Sequence, residues 1–191
     1  MFVTNIYKAG YSPQGNNLRV NKLASDGRFA NMAEGDVADC GWAWGSQFAD
    51  LNNDGALDLF VVNGFVSADP KADYWYDMAR VASGVGDVIA DAKNWAPMEG
   101  RSFSGYERSR VLLNDGQGAF TDVAEAVGVT DLLDGRAVAV ADLFHRGAST
   151  SSSRTSATGS SFTTVIPIPR MIGCSWSSWP PRATGARSAR R

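Results

Sequence analysis

Histidine occurs once in the 191 residues, as His145, and cysteine twice, as Cys40 and Cys174. A single histidine excludes His-rich metal centres, and a lone loop histidine is more often solvated than catalytic. Two cysteines do not make a disulfide framework or a zinc cluster. Cys40 has no second histidine to activate it and reads as a small buried thiol. No stretch approaches the roughly 18 apolar residues of a membrane-spanning helix. The opening MFVTNIYKAG has neither the charged n-region nor the long apolar h-region of a signal peptide. Gly84-x-Gly86 follows no strand and lacks a third glycine, so dinucleotide binding is not expected. Acids are missing altogether from residues 149–191, which carry six Arg. Residues 1–148 therefore hold 12 Lys and Arg against 20 Asp and Glu, a balance of −8. Such an acidic body suits cations and argues against a nucleic-acid partner.

What is present is the composition of a globular protein, 44% hydrophobic and 20% charged, long enough for one ordinary core. Its most informative stretch is FADLNNDGALDLFVVNG, residues 48–64. Asp50, Asn52, Asp54 and Asp58 stand at positions 1, 3, 5 and 9 of a tight loop, with Gly55 at position 6. Ca²⁺ takes six to eight hard oxygen ligands, and alternate residues of a curled loop turn toward one centre. Ala56, at position 7, would add its backbone carbonyl. Val61 stands where an EF-hand has its bidentate Glu, and a strand pattern follows, so the expectation is a strand–loop–strand calcium site. The competing reading is a solvated turn whose Asp and Asn side chains bond local backbone.

The frame recurs 92 residues later: Ala49-Asp50-Leu51 and Gly55-Ala56 return as Ala141-Asp142-Leu143 and Gly147-Ala148. Upstream, LRVNKLASDGRFANMAEGDVAD (18–39) parallels RVLLNDGQGAFTDVAEAVGVTD (110–131). Both show an apolar run, a Gly-containing turn and a returning Phe, which are hairpin signals. Units of roughly 45 residues suit propeller blades. The second loop departs from the first. Phe144 replaces Asn52 and Arg146 replaces Asp54, leaving Asp142 as its one remaining ligand, so that loop is expected to be structural.

The string DLNNDGALDLFVVNG resembles the FG-GAP/VCBS repeats of integrin alpha-like β-propellers. GWAWGSQFADLNNDGALDLFVVNG with LLNDGQGAFTDVAEAVGVTD is similar to the ASPIC/UnbV, cartilage acidic protein-like branch. The resemblance covers roughly residues 1–148. It implies an all-β, partial and open propeller of an exported, periplasmic or cell-surface protein, with Ca²⁺ in blade loops and a glycan or protein ligand. The chain then divides into the end of a preceding blade (1–17), a repeat with the calcium loop (18–66), an insertion (67–109), a degenerate repeat (110–148) and a tail (149–191). MFVTN is the twin of LFVVN (59–63), so the start is expected to be internal to a longer protein.

In the insertion, apolar residues at 74, 78, 81, 85 and 88 predict an amphipathic helix from about Ala72. Tyr74, Trp75, Tyr76 and Trp95 could stack on a sugar or pack the insertion onto its scaffold; the spacing favours packing. Trp42 and Trp44 suit a strand burying one large face. The tail has 17 Ser or Thr among 43 residues and reads as disordered. Its codons offer a sharper reading. Ser149–Ser156 can be written so that a one-base shift spells LDVVVANQ, the counterpart of LDLFVVNG at the required offset. ATGARSAR shifts likewise to an ASPIC/UnbV-like string, so residues 149–191 are expected to be a frameshift product.

Two functions follow: a calcium-stabilised module for adhesion or carbohydrate contact, or a propeller enzyme acting on polysaccharide. The second would need an acid–base pair among Asp73, Asp77, Asp87 and Glu99 of the insertion.

Overall fold

The computed structural model describes residues 1–12, 14–83 and 91–141, together with the strand backbones at 150–157 and 160–167. The described residues are mostly β-sheet with few helices. A first sheet orders β1 (Phe2–Val3), β2 (Asn17–Lys22) and β3 (Arg28–Asn31). A one-turn helix, α1 (Leu23–Asp26), joins its last two strands. The second sheet runs β4 (Ala43–Ala49), β5 (Asp58–Asn63), β8 (Arg110–Asn114) and β9 (Phe120–Asp122). The third runs β10 (Gly135–Ala141), β11 (Thr150–Ala157) and β12 (Ser160–Pro167). A closed propeller does not emerge among the described residues.

The 92-residue period extends from letters to hydrogen-bond register. Lys22 pairs with Arg28 on β2–β3, and Asn114 pairs with Phe120 on β8–β9. Ala49 pairs with Asp58 on β4–β5, and Ala141 pairs with Thr150 on β10–β11. Sheet boundaries nevertheless cut through the sequence unit. β2–β3 stay in the first sheet, whereas β4–β5 open the second and pair onward through Leu59↔Leu112. Each repeat thus closes one sheet and starts the next, a linkage only neighbour packing can create.

Strand β5 explains the unbroken apolar run. All six of its residues are buried. Phe60 and Val62 enter one cluster with Leu51, Val111, Leu113, Val123 and Val129. Leu59 and Val61 enter another with Leu18, Val37, Cys40, Ala43 and Leu112. A strand covered on both faces reads as continuous rather than alternating hydrophobics. β10 comes close across β4 and β5. A Cβ on Gly45 would lie 2.9 Å from the Ala137 Cα, and one on Gly135 would lie 2.6 Å from the Val62 Cβ. Only hydrogen fits at either crossing.

The insertion contributes β6 (Asp69–Asp73), α2 (Trp75–Ala82) and β7 (Arg101–Ser102), with β6 and β7 parallel. The helix begins three residues later than expected, because the Asp73 carboxylate accepts the Trp75 N–H and holds Asp69–Asp73 extended ahead of it. Positions 85 and 88 lie outside the described residues. Tyr74, Trp75, Met78 and Phe103 form a third buried cluster, with Trp42 and Phe65 packed against it. Trp42 stacks on Phe65 at 4.5 Å, and Trp44 donates from Nε1 to the Gly64 carbonyl at 2.7 Å. The aromatic residues therefore attach the insertion to β4. Asp134 secures the same junction, accepting from the Ser67 N–H and hydroxyl at 2.8 Å each.

One expectation is corrected here. A wholly disordered tail does not hold over 150–157, which pair with β10, or over 160–167, which pair with 150–157. The Ser- and Thr-rich β11 pairs along β10 from Gly135↔Thr155 to Ala141↔Thr150, as an extended backbone can where a strand offers its edge. The remaining tail, with Cys174, lies outside the described residues.

Candidate functional site

The loop between β4 and β5 is built by its own short polar side chains. Asp50 accepts the Asp54 N–H at 3.0 Å and the Gly55 N–H at 2.9 Å through its two carboxylate oxygens. Asn52 Oδ1 accepts the same Asp54 N–H at 3.1 Å. Asp54 accepts the Ala56 N–H at 2.8 Å and the Asn52 amide at 2.7 Å. Asn53 (φ 65°) and Gly55 (φ 87°) take left-handed conformations that curl the backbone round this knot. Asp50, Asn52 and Asp54 are thus drawn together at one end of the sheet.

Asp58 sits apart in character. It is fully buried, and its oxygens accept the Leu51 N–H and the Asn114 N–H at 2.8 Å each. Asn114 also donates its side-chain amide to the Leu57 carbonyl at 3.1 Å. The loop of one repeat is therefore fastened to the hairpin of the next. Burial pushes the Asp58 carboxyl up from its ordinary range; its two N–H partners oppose this, and the nearby charges of Asp54 and Asp50 add to it.

The donor set fits a hard cation: carboxylates of Asp50 and Asp54, the Asn52 amide oxygen and the Ala56 carbonyl are all oxygen ligands. Asp58 lies within electrostatic reach of the others, and backbone N–H groups hold both of its oxygens, as they hold both oxygens of Asp50. Among the described residues, no three Asp, Glu, His or Cys side chains converge as a ready metal centre. A cation here would draw on amide and backbone oxygens as well as carboxylates. The counterpart loop with Asp142, Phe144, His145 and Arg146 lies outside the described residues.

The described insertion carboxylates have separate surroundings. Asp73 caps the start of α2, and Asp77 pairs with Arg101. Glu99 is exposed on the turn before β7. Asp87 lies outside the described residues. The four aromatics are also divided: Tyr74 and Trp75 are buried, while Tyr76 and Trp95 are exposed. Cys40 is buried, with its Sγ 3.1 Å from the Asp36 carbonyl, and burial pushes the thiol up to about 12. It is inert as a nucleophile at neutral pH.

Residue-type reasoning missed a second polar cluster. Arg108 and Arg110 both donate to one oxygen of Asp122, at 2.9 and 2.8 Å. Their i, i+2 spacing on an extended segment was the available signal, since alternate residues share a face. Among the described residues, no helix is long and apolar enough to cross a membrane. No curated protein matches this chain. The first hairpin, the loop and most of β5 fall within residues 5–61, and that segment matches the family model of the FG-GAP-like repeat.

Proposed function

We infer that the chain is a calcium-binding module of β-propeller repeats, belonging to an exported or cell-surface protein and used for adhesion to a glycan or protein. One observation carries the reading: inside the FG-GAP-like segment, Asp50, Asn52 and Asp54 are gathered on one curled loop at a sheet end. Asp50, Asn52, Asp54 and the Ala56 carbonyl would hold the ion. Asp58 would hold the loop or join the ligands after releasing an N–H. A bound cation would neutralise acids that now repel one another. The reading of 149–191 as an out-of-frame segment belongs to the same proposal, supported by its position at the repeat offset; genomic sequence round codon 148 tests it.

Calorimetry of the chain with CaCl₂ should give saturable heat with a dissociation constant on the order of 10⁻⁴–10⁻³ M. Asp50→Ala should abolish that heat. Equal heats from both proteins, or none from either, overturn the reading. For the enzymatic alternative, Asp73 and Asp77 are engaged separately, with the Trp75 N–H and with Arg101.

A further inference from the structure

Aspartate is followed by proline once in the 191 residues, at Asp69–Pro70, and this bond lies at the root of an outward bulge. Asp69 pairs with Arg101 and Asp73 pairs with Ser102 across β6 and β7, so residues 70–72 bulge out between two successive rungs. Asp69, Pro70 and Lys71 are exposed. Bulges of this kind turn a segment out of its ladder and re-aim its groups. The N-terminal side of the bond is pinned. Asp69 donates its N–H to the Gly100 carbonyl at 3.0 Å, and Tyr106 donates its hydroxyl to the Ala68 carbonyl. The Ser67 N–H and hydroxyl are both held by buried Asp134.

The carbonyl of the same bond is polarised. Ser102 Oγ donates to the Asp69 carbonyl oxygen at 2.8 Å and accepts the Ala68 N–H at 3.0 Å. The hydroxyl proton is thereby committed to that carbonyl. Ser102 is only 9% exposed, and a hydrogen bond is stronger there than in water. One carboxyl oxygen of Asp69 accepts the Lys71 N–H at 2.9 Å, which keeps the side chain beside the bond to Pro70. A carboxylate that closes a five-membered ring on its own carbonyl carbon has the high effective concentration of an intramolecular nucleophile. Pro70 carries no N–H, and its tertiary nitrogen takes a proton more readily than a secondary amide and leaves as an amine.

We propose that the chain cleaves itself at Asp69–Pro70 in mild acid, with the Ser102 hydroxyl stabilising the transition state. A carboxylate oxygen of Asp69 adds to the Asp69 carbonyl carbon. The carbonyl π pair moves onto its oxygen, where the Ser102 hydroxyl meets the developing charge. Collapse breaks the C–N bond as the Pro70 nitrogen takes a proton from the solvent, leaving a five-membered anhydride on Asp69. Water opens that ring. The net reaction consumes one water and gives a carboxyl-terminal Asp69 and an amino-terminal Pro70. The two pieces stay together through the Leu59↔Leu112 register and through Trp42 and Phe65, which pack against Tyr74, Trp75 and Phe103. The insertion then keeps a covalent root only at its β7 end.

The test is intact-mass analysis of the full chain held for several days with protease inhibitors, at about pH 4.5 and about pH 7, both folded and in urea. Fragments 1–69 and 70–191 are expected at the lower pH, formed faster from the folded chain than from the unfolded one. Pro70→Ala, a change in the exposed bulge, should remove the cut. Ser102→Ala should slow it about tenfold in the folded chain and leave the rate in urea unchanged. Ser102→Thr, which keeps the hydroxyl, should restore it. An uncut folded chain, a folded rate no higher than the rate in urea, a cut at another bond, or equal folded rates for the parent and Ser102→Ala each overturns the proposal.

Discussion

Phe60→Ala should destabilise the protein by about 3–5 kcal/mol, the usual cost of emptying a large aromatic site in a core. Phe60 is fully buried at the middle of β5, the strand shared by two hydrophobic clusters. It shares a cluster with Leu51, Val111 and Val123, and Val138 and Val140 of β10 pack against the same cluster. Removing it loosens the second sheet and the contact with β10 together. Domains of this size have a total stability of about 5–15 kcal/mol, so the variant should melt far below the parent or fail to fold. Urea unfolding followed by circular dichroism measures this. A loss under about 1 kcal/mol would mean that the second sheet does not depend on this core. Leu57→Ala, at an exposed site on the loop, serves as a control and should change stability little.

Asp122→Ala should be comparably severe for a different reason. The Asp122 side chain is only 7% exposed and carries both Arg108 and Arg110. Removing one partner of a buried ion pair typically costs 3–5 kcal/mol, because the remaining charge stays uncompensated. Here two cations would be stranded together. The pH dependence carries the same signature. Burial alone would raise the Asp122 carboxyl, but the Arg110 hydrogen bond, the Ala124 N–H and the Arg108 charge outweigh it and hold the group below its ordinary range. A carboxyl with a depressed folded pKa contributes stability above its unfolded value, about 3.9, and loses it as the pH falls through the folded value. The parent should therefore lose stability on acidification below about pH 4 more steeply than an Asp122→Asn variant. Parallel acid profiles for the two proteins would contradict this role.

The polar loop between β4 and β5 shows how residue spacing and environment divide the information. Alternate oxygens round Gly55 were legible as a curled loop because short Asp and Asn side chains and a left-handed glycine leave few other conformations. What spacing could not reveal was the partner of Asp58. Its second oxygen accepts from Asn114, 56 residues further on, and no local pattern encodes so distant a neighbour. The aromatic residues of the insertion tell the same story. Their types allowed either a ligand face or a packing face, and burial against Phe103 assigned Tyr74 and Trp75 to packing.

By itself, the sequence determined the local elements: the hairpins, the buried strand at 58–63, the polar loop before it and the 92-residue period. These follow from side-chain alternation, turn residues and repetition, all of which act between near neighbours in the chain. Only the tertiary structure decided which strands share a sheet and where the two arginines and Asp122 meet. Sheet pairing across a 43-residue insertion and the sharing of one carboxylate by two cations depend on distances in space, which chain order does not specify.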